Sequence, residues 1–144
     1  MKTENVIDLD FPLEQAWPDV DPGLEALGYG IVVQLRSVPE LTAGGIVLPG
    51  TETAAEQFET QIGKVISVGK TAFCNRSTGQ PWPEGAWADV GDYVRIPRYG
   101  KDNWYVDLPE SEYQRLKVKQ VMFTLVQDLM LIGKVTGDPL NKLH

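Results

Sequence analysis

Ala43-Gly44-Gly45-Ile46-Val47-Leu48-Pro49-Gly50 sets three consecutive large apolar residues between a glycine pair and a Pro-Gly. By itself such a run, bounded by turn formers, fits a buried strand as readily as a loop. The flanks favour the loop. Ser37 to Thr42 upstream and Thr51 to Thr60 downstream are polar, turn-rich or weakly patterned. A stretch of about twenty residues with one apolar tripeptide at its centre is a long loop, and long loops in compact domains are functional or disordered.

Working outward from this stretch, the chain is strand-like on both sides. Tyr29, Ile31, Val33 and Leu35 alternate with Gly30, Val32, Gln34 and Arg36, the period of a half-buried strand. Ile62 to Val68 is a second β-branched run, stopped by Gly69. Lys70 to Asp89 is a long excursion rich in Gly, Pro, Asn and Ser, with Trp82 and Trp87 near its end. Val90-Gly91-Asp92 turns into a third strand, Tyr93 to Ile96, closed by Pro97. Trp104, Val106 and Leu108 alternate with Tyr105 and Asp107 as a fourth. Two more, Val118 to Val126 and Leu129 to Val135, are separated by Gln127-Asp128, and Glu110 to Leu116 fits a helical turn or two. Short strands with turn signals throughout predict a small all-β barrel.

The ends read differently. Residues 1–27 are acidic, and Pro12, Pro18 and Pro22 break any long helix. They form an extension that lies against the body or stays mobile, with Phe11, Leu13 and Trp17 as its anchors. The tail after Gly137 is short and expected to be loose. The body is thus 28–136, its long loop about 37–60, its excursion about 70–89, and its C-terminal tail 137–144.

Composition excludes several kinds of function. The net charge of −7 has the wrong sign for phosphate backbones, and the basic cluster from Arg115 to Lys119 is too small to reverse it, so no nucleic-acid partner is expected. No apolar stretch reaches the roughly 18 residues of a membrane span, so no membrane partner is expected. The N-terminus carries no secretory pattern. One cysteine, Cys74, allows no internal disulfide or zinc cluster and fits a reducing compartment, the cytoplasm. The sole histidine is the last residue, His144, so triad and Cys-His catalysis lack a base. Walker, His-Glu-x-x-His and dinucleotide fingerprints are absent. Glu110 with Glu112, and Glu56 with Glu59, pair carboxylates on an acidic surface without defining a site. The chain is read as a non-enzyme without cofactor or metal.

The order of these pieces resembles that of GroES-type co-chaperonins, the chaperonin-10 family. A strand with Ile31-Val32-Val33 leads through Glu40 to Thr42-Ala43-Gly44-Gly45-Ile46-Val47-Leu48, similar to the family's first strand and mobile loop. Gly63-Lys64-Val65-Ile66-Ser67-Val68-Gly69, Val90-Gly91-Asp92-Tyr93-Val94, Tyr99-Gly100 and Phe123 to Val135 follow in the family's order. The resemblance implies a GroES-like β-barrel in a ring of seven subunits that caps a GroEL-type chaperonin ring. Non-native substrate protein would fold inside the chamber. ATP would be bound and hydrolysed by the partner. Ile46, Val47 and Leu48 would dock in an apical groove, with Gly44 and Gly45 supplying the bend. The 70–89 excursion would build the roof, and Tyr99 would face the cavity. Subunits would meet through Tyr29, Ile31 and Val33 on one side and Leu129, Leu131 and Val135 on the other. The N-terminal extension and the long, aromatic excursion depart from compact members and resemble bacteriophage variants that fold capsid proteins in the host cytoplasm. Two alternatives are weighed beside this reading. A phage head-decoration module could use the same small barrel without binding a chaperonin. The catalytic domain of zinc alcohol dehydrogenases also shares the barrel type, but this chain has neither its ligands nor a Rossmann half.

Overall fold

A computed structural model describes residues 11–39, 61–97 and 102–140. Six strands form one antiparallel sheet: β1 Gly30–Leu35, β2 Ile62–Val68, β3 Tyr93–Arg95, β4 Asp102–Asp107, β5 Gln120–Gln127 and β6 Gly133–Lys134. Their spatial order is β4-β5-β1-β2-β3-β6, so the first strand in sequence becomes a central one. Among the described residues, two short α-helices accompany the strands, α1 Phe11–Ala16 and α2 Glu110–Leu116. The chain is an all-β fold with few helices.

β1 runs against β2 on one side, with Leu35 opposite Gly63, and against β5 on the other, with Gly30 opposite Gln127. All six of its residues are buried, where the alternation predicts a half-buried strand. The reason lies on its second face. Ile31, Val33 and Leu35 join the main core with Val65, Val94, Ile96 and Met122. Val32 instead packs with Phe123, Val121, Leu116 and Val118 in a second cluster. Gln34 is accommodated by the N-terminal extension: its carboxamide nitrogen donates to Pro18 O at 2.7 Å, and its own carbonyl accepts Trp17 Nε1–H at 3.0 Å.

The extension therefore lies against the body from Phe11 onward. Pro12 does not prevent α1, because it falls in the first turn, where no backbone donor is required. Trp17 is buried and edge-on to Tyr93, with ring centroids 4.8 Å apart. Further along, Trp104 Nε1–H donates to Pro22 O at 2.8 Å, and Ala26 N–H donates to the Ser67 hydroxyl. α1 also meets α2, where Arg115 pairs with both Glu14 and Glu112 and the Gln15 carboxamide donates to Leu116 O. α2 ends on Lys117, whose left-handed conformation (φ 61°) returns its N–H to Tyr113 O.

The last strand departs from expectation. Leu129 to Val135 is not one strand: a 3-10 turn, Asp128–Met130, precedes a two-residue β6 that pairs with β3 rather than β5. The described part of the C-terminal tail, residues 137–140, is also held more firmly than its composition suggests. Leu140 packs with Val135 against the Trp17 cluster, and its carbonyl accepts an Arg36 N–H at 3.2 Å. No helix among the described residues is long and apolar enough to cross a membrane.

Candidate functional site

Gly44, Gly45, Ile46, Val47, Leu48 and Tyr99 lie outside the described residues. The two stems of the 40–60 segment are described, and one cluster holds both. On the outgoing side Ser37 is buried and donates its N–H to Ala16 O at 2.7 Å. On the returning side Ile62 is buried with Ala16 and Trp17, and Leu13, Tyr93, Val135 and Leu140 pack around them. Gln61 is fixed to the end of β3: Ile96 N–H donates to Gln61 O at 2.8 Å, and the Gln61 carboxamide donates to Ile96 O at 3.1 Å.

The residues expected at subunit contacts fall into two groups. Ile31 and Val33 point into the chain's own core, and β1 has both edges occupied by β2 and β5. Within the chain the backbone donors and acceptors of Gly30–Leu35 are therefore shared with β2 and β5. Tyr29, just before it, and Leu129, just after β5, are exposed instead. Leu131 and Val135 are half-buried, one against the main core and the other against the Trp17 cluster. Other large apolar residues absent from the expected set are also exposed, among them Leu27 at 81%, Val90 at 65% and Ile132 at 58%. Leu27, Tyr29 and Leu129 gather where β1 begins and β5 ends: Gly30 N–H donates to Leu27 O, and Asp128 N–H donates to Tyr29 O. Ile132 borders a groove of about 160 Å³ with Trp87, Val94, Leu131 and Lys134. Leucines this exposed are easily passed over in sequence, because apolar residues are expected inside. Among the described residues, the unpaired sheet edges belong to β4 and β6.

The 70–89 excursion is pinned to the same end of the sheet. It closes on itself through an antiparallel bridge between Cys74 and Pro81. Trp82 and Trp87 stack with planes 8° apart and centroids at 6.4 Å, and Phe73 packs on Trp87 at 5.7 Å. Asp128 then ties the loop down. Its fully buried carboxylate accepts Phe73 N–H at 2.6 Å and both arms of the Arg76 guanidinium, one of them at 3.1 Å. The Arg76 guanidinium also lies over the Tyr29 ring, 3.5 Å from its centroid, a cation–π contact. Burial pushes the Asp128 carboxyl up, but the Arg76 hydrogen bonds and the Phe73 N–H more than reverse this and hold it below its ordinary value. Pulling Asp128 inward is what turns the chain into the 3-10 segment and leaves Leu129 outside. Phe73 adopts a left-handed conformation (φ 62°) to present its N–H.

The arrangement is one of loops and surfaces on a small antiparallel body, with the chemistry of a binding module. The comparisons sharpen that class to a family. The family model of the chaperonin 10 kDa subunit matches residues 23–125. The co-chaperonin GroES of Exiguobacterium sibiricum is 31% identical over 99 residues, covering 69% of this chain and 95% of that protein. The chain belongs to the chaperonin-10 family, the co-chaperonins, which work beside a chaperonin and are not enzymes. Residues 11–22, which carry α1 and Trp17, precede the matched span.

Proposed function

We propose that the chain assembles into a ring, seven-fold by family resemblance, which caps a GroEL-type chaperonin in the cytoplasm and encloses a folding chamber. Ile46, Val47 and Leu48 are the docking tripeptide, and ATP is bound and hydrolysed by the chaperonin. The observation that carries assembly is the exposure of Leu27, Tyr29, Leu129 and Ile132 on a chain whose family works as oligomers. Exposed apolar residues grouped in this way mark contact surfaces: Leu27, Tyr29 and Leu129 flank the start of β1 and the end of β5, and Ile132 lies apart from them beside β3.

The loop works by repetition. Burying an Ile or Leu side chain is worth about 1.5–3 kcal/mol, so a docked tripeptide gains roughly 4–7 kcal/mol. Ordering the backbone costs about 1–2 kcal/mol per residue. Fixing four residues cancels most of the gain, leaving a single loop with an affinity of ~mM at best. Loops on one rigid ring bind in concert, because the first to dock raises the effective concentration of the rest. Capping is then tight yet reversible. The N-terminal extension and the 70–89 excursion fit a bacteriophage-encoded cap that reshapes the chamber for capsid protein.

Two measurements test the reading. A seven-membered ring of 16.0 kDa chains has a mass of about 112 kDa, and a monomeric mass contradicts assembly. ATP-dependent binding to a purified GroEL-type ring must fail when Ile46, Val47 and Leu48 are all replaced by Ala.

A further inference from the structure

We propose that the N-terminal strap is a clamp on the stems of the 40–60 loop, and that Trp17 is the positioning residue that sets how well the loop docks. This rests on Ile46-Val47-Leu48 being the docking segment. The strap residues 11–22 lie before the span shared with the family, yet Ala16, Trp17 and Pro18 within it are buried. Their strongest contacts converge on one place. Ala16 O takes the N–H of Ser37, Trp17 Nε1–H reaches Gln34 O, and Ile62 closes the cluster from the returning strand. Tyr93 supports the Trp17 ring, and Leu140 arrives from the C-terminal side with its carbonyl on Arg36. The strap, the returning stem and Leu140 thus meet in one cluster around Trp17, with the outgoing stem held beside it at Ala16.

The consequence follows from preorganisation. Backbone that is fixed before docking need not be fixed during docking. Each stem residue released from the clamp adds an ordering cost equivalent to about tenfold in affinity for that loop. Because several loops bind together, the loss is compounded around the ring.

The test uses the full-length chain and three variants. Amide exchange of Ser37, Gln61 and Ile62 reports the stems, exchange of Val121 to Val126 reports the body, and ATP-dependent binding to a GroEL-type ring reports docking. Trp17→Ala is expected to speed stem exchange at least about tenfold, leave β5 exchange unchanged, and weaken binding at least about tenfold. Trp17→Phe, which keeps the ring but loses the donor to Gln34 O, shows the same pattern reduced to about threefold, and it decides the matter if Trp17→Ala does not fold. Trp104→Phe, which cuts the strap's other anchor at Pro22, leaves stem exchange and binding unchanged. Wild-type affinity in both Trp17 variants with accelerated stem exchange overturns the clamp, as does equal weakening by Trp104→Phe. Failure of the docking reading looks different: the Ile46, Val47 and Leu48 triple alanine variant would then bind like the wild type.

Discussion

Replacing Asp128 by Ala should uncouple the 70–89 excursion from the sheet, and the size of the loss can be worked from its contacts. The carboxylate is fully buried and accepts from Phe73 N–H at 2.6 Å and from the Arg76 fork. Arg76, with 28% of its side chain exposed, can turn to water when its partner goes. Phe73 N–H cannot, because Phe73 is buried. A hydrogen bond to a charged group is worth about 1.5–3 kcal/mol, and an orphaned buried donor adds its own desolvation cost. Phe73 also loses the contact that holds it at a positive φ, a conformation that costs about 1–3 kcal/mol outside glycine. The expected loss for Asp128→Ala is about 3 kcal/mol, or a midpoint some 6–12 °C lower for a domain of this size. Asp128→Asn keeps an acceptor for Phe73 but not the charge, and should lose about half as much. Urea unfolding followed by tryptophan fluorescence at fixed chain concentration measures both. The pH dependence supplies an independent check. Asp128 titrates below its unfolded value in the folded chain, so its stabilisation is complete above about pH 4 and is lost as pH falls through the lower folded pKa. The Asn variant should therefore show a flatter stability profile below about pH 4 than the wild type. A loss under about 1 kcal/mol for Asp128→Ala, or identical acid profiles, would refute the account of the excursion's anchor.

Two further outcomes follow from the geometry. Gly69→Ala should destabilise the chain by more than about 2 kcal/mol, because its Cβ would lie 2.1 Å from Gly28 O and within 2.9 Å of other backbone atoms, none of which can swing aside; thermal unfolding reads it. Leu27→Asp combined with Ile132→Asp should leave unfolding of the single chain unchanged while light scattering shows the mass falling from the ring toward 16.0 kDa.

Strands β1, β2 and β5 were legible because their β-branched runs are local signals bounded by glycine or turn residues. The family order was legible for the same reason, since each piece is a short contiguous stretch. What sequence could not show depends on distant partners. β1 looks half-buried from its alternation, but Leu116, Val118 and Phe123 pack on Val32, and Pro18 and Trp17 cover Gln34, from outside the strand. The final run from Leu129 to Val135 has strand composition, yet Asp128 is drawn inward by Phe73 and Arg76, more than fifty positions earlier in the chain, and the segment tightens into a 3-10 turn. Of the residues expected at the subunit contact, Ile31 and Val33 are core residues while Tyr29 and Leu129 are exposed, as are Leu27 and Ile132 outside that set. Glycine-flanked Ile46-Val47-Leu48 remains the feature whose reading decides function, and its chemistry is entirely one of sequence.

The most direct measurement is ATP-dependent binding of the wild type and the Ile46→Ala/Val47→Ala/Leu48→Ala variant to a purified GroEL-type ring, with the mass of each determined in parallel. The account predicts that the wild type binds and that the variant, still a ring, does not. A wild type that is folded and ring-forming yet ignores the chaperonin with every nucleotide would contradict it.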